Sequence, residues 1–323
     1  MSPSNDNKKE SLIKLATNII SHNQSLEGFK KGLELVDEAL KLDPDYASAW
    51  YLKGNVLIGM ANPEEGVKCL NKAIELDPKL AAPWYSKALV SQKLGNYDEA
   101  LEYYDKSLDL GFKNSENRYV DVLFRKGLIL NQIGRYEDAI ESFDEILKIN
   151  PYSFDALVSK SLALGSLNRY GEELECLEKV LEMDSENPML WANKGAVLNE
   201  LGKFEEALKC TDKSLEILEV KELGIQNKNQ NEQVTWYVRG NSFLGIKKYN
   251  EAIESFNKSL ELYSEGNISQ VYIDSLIGKG NALSGLNKQE EALNCYNKAL
   301  ELSPDSAAAK KGKEDISAYK SEK

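Results

Sequence analysis

The chain has 323 residues, 42% hydrophobic and 28% charged, with 52 acidic against 40 basic side chains and a net charge of −12. No apolar run approaches the roughly 20 residues a helical membrane span requires, and residues 1–10 lack the apolar core of a secretory signal, so a cytoplasmic chain without a membrane partner is expected. The acidic balance repels phosphate backbones and removes the counterion-release contribution to affinity, which argues against nucleic acid as a partner.

Along the chain, two columns of small residues recur. The first holds Gly54, Ala88, Gly127, Ser161, Gly195, Gly240 and Gly280; the second, twelve residues further on, holds Gly66, Ala100, Ala139, Glu173, Ala207, Ala252 and Ala292, with Gly32 one unit earlier. A third column, four residues before the first, holds Trp50, Trp84, Leu123, Leu157, Trp191, Trp236 and Leu276, spaced by 34, 39, 34, 34, 45 and 40 residues. A fixed period of this length marks a solenoid of stacked units. After a polar segment, 1–10, the array is expected over 11–306. Its eight units are 13–46, 47–80, 81–114, 120–153, 154–187, 188–221, 233–266 and 273–306, the first lacking the tryptophan and first glycine, with Ala16 and Ile20 in their places. A capping helix and tail, 307–323, follow, with Ile316 and Tyr319 on one side of the helix.

Each unit predicts two helices. In the first, the Trp/Leu, the small residue and an apolar residue such as Leu130, Leu164 or Leu198 share one face. A break follows, as in Leu94-Gly95-Asn96 or Leu201-Gly202-Lys203, where glycine supplies the turn conformation. The second helix opens on acids such as Asp98-Glu99 and carries lysine near its end, as the helix dipole favours. Glu102–Lys106, Glu175–Lys179 and Glu254–Lys258 are spaced for i,i+4 pairs. It stops at Asp43-Pro44, Asp77-Pro78, Asn150-Pro151 and Ser303-Pro304, because proline disfavours helix in the residue before it. A lone pair of helices cannot bury both faces. Stacking is obligatory, with Tyr104, Phe143, Leu177, Phe256 and Tyr296 filling the space between helices.

These units resemble the tetratricopeptide repeat, whose pattern runs W-x2-L-G-x2-Y, then A, F, A and P. Trp191 through Gly195 to Ala207 carries the match, as do Leu123, Gly127, Tyr136, Ala139, Phe143 and Pro151. The resemblance covers about nine-tenths of the chain. It implies an all-α fold, a right-handed α-solenoid superhelix of stacked antiparallel helix pairs, and a role in binding other proteins.

No catalytic constellation stands out. The single histidine, His22, leaves no paired-histidine zinc motif and no second candidate for a triad. Gly195–Lys203 superficially resembles a phosphate loop, but Gly202-Lys203 runs into Phe204 and falls on an inter-helix turn. Acids occupy dipole-favoured positions throughout, so none is singled out for acid–base work. Numbering each unit from three residues before its Trp/Leu column, Cys69, Cys176, Cys210 and Cys295 all fall at position twenty-three, a slot filled elsewhere by Tyr103, Ser142 and Ser255. Equivalent atoms of neighbouring units stand at least a helix-packing distance apart, too far for a disulfide, so packing is their expected role. No enzyme activity, cofactor or metal is expected.

Helical geometry turns positions two, five, six, nine, twelve and thirteen of each first helix away from the buried face, and the resemblance implies that they line a peptide-receiving concave surface. The candidates are Tyr51, Tyr85, Phe124 and Tyr237 at position five, Asn55, Asn241 and Asn281 at position nine, and Arg125, Asn131, Asn193 and Asn199 beside them. Amides can bond an extended backbone while rings cover its side chains; equally, aromatic residues at position five can be framework. The carboxylate grip of some family members, with lysine at position five, has no counterpart. A row of Lys53, Lys87, Lys126, Lys160, Lys194, Arg239 and Lys279 at position seven could form a binding ladder for an acidic partner; it lies, however, on the flank of the buried face, where a lysine can bury its stem, project its charge and pair with acidic neighbours. Insertions at 115–119, 222–232 and 267–272 fall between units, the longest expected as a loop or helix extension. The leading expectation is a non-enzymatic interaction scaffold binding a peptide or helical segment. The alternatives are a structural or self-assembling array, for which a homo-oligomer is possible but not indicated, and the regulatory subunit of a separately encoded enzyme.

Overall fold

The computed structural model describes residues 3–220, 225–262 and 269–321. Among them are seventeen α-helices, a single 3-10 turn (Phe112–Asn114) and no strand. The first eight are α1 (Pro3–His22), α2 (Leu26–Leu42), α3 (Ala47–Gly59), α4 (Pro63–Leu76), α5 (Ala81–Lys93), α6 (Tyr97–Asp109), α7 (Glu116–Gln132) and α8 (Tyr136–Ile149). They are followed by α9 (Phe154–Ser166), α10 (Tyr170–Met183), α11 (Pro188–Glu200), α12 (Phe204–Val220), α13 (Ile225–Gly245), α14 (Tyr249–Glu261), α15 (Gln270–Gly285), α16 (Gln289–Leu302) and α17 (Ala307–Ser321).

The chain forms two compact bodies, Met1–Ile146 and Leu147–Lys323. In the first, α1 packs on α2, α3 on α4 and α5 on α6, and each second helix packs on the next first helix. In the second body the pairs are α9–α10, α11–α12, α13–α14 and α15–α16; successive first helices also touch, α11 against α13 and α13 against α15. Both bodies are stacks of antiparallel helix pairs, as the period requires.

The boundaries follow from local chemistry. Helices α2, α4 and α16 end on Leu42, Leu76 and Leu302, one residue before the Asp-Pro, Asp-Pro and Ser-Pro steps. At the inter-helix turn one residue adopts positive φ: Gly95 (80°), Gly134 (78°) and Gly202 (72°), but Ala61 (60°), Asn168 (56°), Lys247 (60°) and Asn287 (60°) elsewhere. Four units therefore hold a side chain in a conformation that glycine adopts at lower cost.

The core repeats with the units. Tyr104, Phe143 and Phe256 are fully buried, and Tyr296 nearly so. Such rings lie on glycines of the first small column: a Cβ on Gly240 would meet Phe256 Cε1 at 2.6 Å, and one on Gly280 would meet Tyr296 Cε1 at 2.6 Å. Trp50 and Trp191 donate through Nε1 to the carbonyls of Pro44 and Ser185, both at 2.8 Å, tying each first helix to the turn before it. Buried hydroxyls join neighbouring pairs: Ser214 with Thr235 at 2.8 Å, and Ser259 with Ser275 at 2.9 Å.

Several expectations are refined. The polar start is helical from Pro3, and Lys9 Nζ donates to Asp43 Oδ2 at 2.6 Å, which holds the Asp43 carboxyl below its ordinary range. The insertions lengthen first helices at their N-terminal ends: 116–119 opens α7, 225–232 opens α13 and 270–272 opens α15, while 222–224 and 267–268 lie outside the described residues. Of the three i,i+4 pairs only Glu254–Lys258 forms, at 3.7 Å; Glu102–Lys106 and Glu175–Lys179 do not, since fully solvated side chains gain little by meeting. None of the four cysteines is in a disulfide; Cys69, Cys176 and Cys210 are buried, and burial raises the thiols of Cys69, Cys210 and Cys295. Ile316 is 2% exposed against the last pair; the Tyr319 side chain lies outside what the structure describes.

Candidate functional site

The first-helix faces bring the candidates into rows, and many are consumed by the fold. Tyr85 is 9% exposed, with its ring 5.8 Å from Tyr104 and 5.6 Å from Phe112, and its hydroxyl donates to Asp121. Phe124 lies 6.1 Å from Phe143 and Tyr237 6.3 Å from Phe256. Position five thus packs on position twenty-four of its own unit, and burial pushes the Tyr85 and Tyr237 hydroxyls above their ordinary pKa. Tyr51 and Asn55 are half-buried. Arg125 is half-buried and pairs with Asp121 at 3.1 Å.

The amides divide in the same way. Asn199 donates to the Val238 carbonyl at 3.0 Å and accepts from Ser242 at 2.8 Å, so it bridges α11 and α13 and offers nothing to a guest. Asn131 and Asn241 are half-buried, Asn241 bonded to Tyr237. Asn193 is exposed, and Asn281 is exposed although its Oδ1 accepts from Tyr296 at 2.7 Å. What remains open in the second body is Asn193, the Asn281 amide nitrogen, and a residue the sequence reading passed over: Leu162, at position nine of α9, is 63% exposed. The sequence carries no distinguishing signal for it, since position nine is also leucine at Leu89 and Leu128. The outward positions of these helices include Asp155, Glu200 and Asp274, and neither lysine nor arginine.

Glu173 was also passed over, although it is the one large residue in a column of glycine and alanine. Its carboxylate fills a notch left by Gly165, where a Cβ would meet its oxygens at 2.9 and 3.0 Å. Burial, with Glu200 adding to it, pushes its pKa up to about 7. The notch accommodates a carboxyl with no hydrogen-bond donor among the described residues.

Position seven is not on this face. Lys53 meets Asp37 at 2.8 Å and Lys194 meets Glu178 at 2.9 Å, while Lys126 pairs with Asp105 and Arg239 with Asp212. Every acid stands at position twenty-five of the preceding unit, so the cationic row is one side of a ladder joining consecutive pairs. Position twenty-five is Asn71 in the second unit, and Lys87 lies instead over the Trp84 and Tyr103 rings, at 5.2 and 4.2 Å from their centroids. Burial lowers its pKa. His22 is exposed, with Nδ1 2.9 Å from the Asn18 carbonyl. No cluster of three or more metal-ligating side chains occurs among the described residues, and none of their helices is long and apolar enough to cross a membrane.

Stacked helix pairs of this size, with side chains of the first helices left open, define an α-helical repeat protein of the interaction class. Sequence profiles described as tetratricopeptide repeat match residues 47–80, 79–151, 154–187, 176–209 and 232–305. The chain belongs to the tetratricopeptide repeat family, whose members generally bind protein partners. Among solved structures it is similar to that of Naa15/Naa10 bound to HypK-THB, at 19% identity and a TM-score of 0.55 over 94% of this chain and 43% of that one. It is also similar to the APC/C hetero-tetramer Cut9-Hcn1, at 16% identity and a TM-score of 0.51 over 94% of this chain and 55% of that one. The chain thus spans about half the length of these proteins, and at such identities the likeness is one of fold. No curated protein matches the sequence.

Proposed function

We propose that the protein is a non-catalytic scaffold that receives an extended peptide or helical segment of another protein on its concave, first-helix face. The observation that carries this is Leu162, 63% exposed on the outward side of α9, the first helix of the pair that precedes the one bearing Asn193. An aliphatic side chain left in water can cover an apolar side chain of a guest, while exposed amides on following first helices bond its backbone. The outward positions in this body carry Asp155, Glu200 and Asp274 without a basic residue, so a guest bearing lysine or arginine complements them. The two similar structures are both of assemblies with other proteins, which supports a partner-binding role.

Peptides selected from a random display library against the full chain test the reading. Selected sequences are expected to be rich in basic and apolar residues and to bind Leu162→Asp and Asn193→Ala at least tenfold more weakly. Equal binding to wild type and both variants would remove the site from this face.

A further inference from the structure

The ladder of position seven and position twenty-five has a rung without its acid in the second body. Lys194 and Arg239 find Glu178 and Asp212 in the preceding second helix. The equivalent partner of Lys279 is Asn257, and Lys279 has neither ion pair nor hydrogen bond from its ammonium among the described residues. An amide can serve in this place: Lys313 of α17 donates to Asn297 at 2.9 Å. Lys279 makes no such bond and instead borders an open pocket of about 340 Å³ between α14, α15 and α16. The pocket also presents Asn257, Asn294 and Lys298, over an apolar floor that includes Leu260 and Leu276; Glu261 stands among its lining residues. The Lys298 ammonium lies 5.9 Å from the centroid of the Tyr272 ring. Both lysines act electrostatically on the Cys295 thiol, as the Glu291 carboxylate does with opposite sign, which places the two cations around one spot.

We infer that this pocket binds a carboxylate side chain of an acidic segment in a partner protein, completing in trans the rung that Glu178 and Asp212 complete in cis for Lys194 and Arg239. The chemistry is that of the other rungs: an ammonium with its stem buried along the helix flank, awaiting an oxygen anion. Glu291, nearby, is paired with Lys288 at 3.3 Å, which leaves two lysines against the Glu261 carboxylate of the lining, and the Asn257 and Asn294 amides can donate to the second oxygen. The apolar floor accepts the methylenes that carry the carboxylate. This site lies on the second-helix side and stands independently of the first-helix face.

The test uses the full-length chain and three probes: capped tetraglutamate, capped tetraglutamine and inorganic phosphate. Side-chain amide resonances of Asn257 and Asn294 report binding by NMR. Tetraglutamate is expected to shift them saturably and tetraglutamine to leave them still. Asn257→Asp supplies the missing acid within the chain, as Asp212 does for Arg239, so this variant should remain folded and bind tetraglutamate at least tenfold more weakly, read from Asn294. Lys279→Met should weaken it similarly. Absence of saturable shifts with tetraglutamate, or undiminished binding to Asn257→Asp, overturns the inference; shifts with phosphate alone overturn the assignment to carboxylate.

Discussion

Lys194 Nζ stands 2.9 Å from Glu178 Oε1, which joins the first helix of one pair to the second helix of the pair before it. The lysine is 20% exposed and the glutamate 51%, so the lysine stem is packed and only the acid is well solvated. A pair of this kind adds a modest, salt-sensitive increment between units.

Replacing Lys194 by Met and Glu178 by Gln, singly and together, is expected to yield a coupling energy of about 0.5 kcal/mol in low salt. In about 1 M salt the coupling should fall towards zero. Urea unfolding of the four proteins checks it. Coupling unchanged by salt would mean that stem packing, and not charge, holds the rung.

Glu173 sets a pH dependence. Its ordinary pKa of 4.5 is raised to about 7 in the folded chain, so the folded state holds this proton more tightly than the unfolded one. Ionisation therefore costs stability above about pH 7, and the cost disappears as pH falls towards the unfolded value. After allowance for solvent screening, Glu173→Gln should be more stable than wild type by about 1–2 kcal/mol near pH 8, with the difference gone near pH 4.5. Unfolding profiles of the two proteins that run parallel across this range would refute the assignment.

The inter-helix turns offer a backbone test. Lys247 adopts φ 60°, and Gly202 adopts φ 72° with nothing near its missing Cβ. Lys247→Gly should stabilise by about 1 kcal/mol and Gly202→Ala destabilise by about 1 kcal/mol. Thermal melting measures both, and the same sign for the two would contradict the conformational argument.

Packing on the small column is tested by Gly240→Ala. Its methyl group would lie 2.6 Å from Phe256 Cε1, in a ring that is itself fully buried. Overpacking of this sort costs about 1–3 kcal/mol. A melting temperature equal to wild type would show that the ring can move aside.

The fold was legible because its signals are local and repeated. Proline after Asp43 or Asp77 and acids at the start of second helices each act within one or two turns, and the small residues recur in every unit. The candidate face was legible only in part. Periodicity says which way Tyr85 or Asn199 points along its helix, but not that Asp121 waits for the Tyr85 hydroxyl or that Ser242 and Val238 take up both ends of the Asn199 amide. The ladder illustrates the same limit from the other side. Lys53 and Asp37 are 16 residues apart while Arg239 and Asp212 are 27 apart, because an insertion intervenes. Fixed spacing hides such pairs, which become visible only when position seven is compared with position twenty-five of the unit before it. Glu173 was visible as a departure from its column, whereas Leu162 shares position nine with Leu89 and Leu128 and is set apart only by its 63% exposure.

Helix α17 meets its predecessor through Lys313 and Asn297, and Gly312 lies under the Tyr296 ring as Gly278 lies under Phe256. The stack therefore ends on a joint cut to the same gauge as its internal ones. A duplicate of residues 273–306 spliced in ahead of Ala307 would find a matching seat on either side, making this terminus a natural graft point for lengthening the protein one brick at a time.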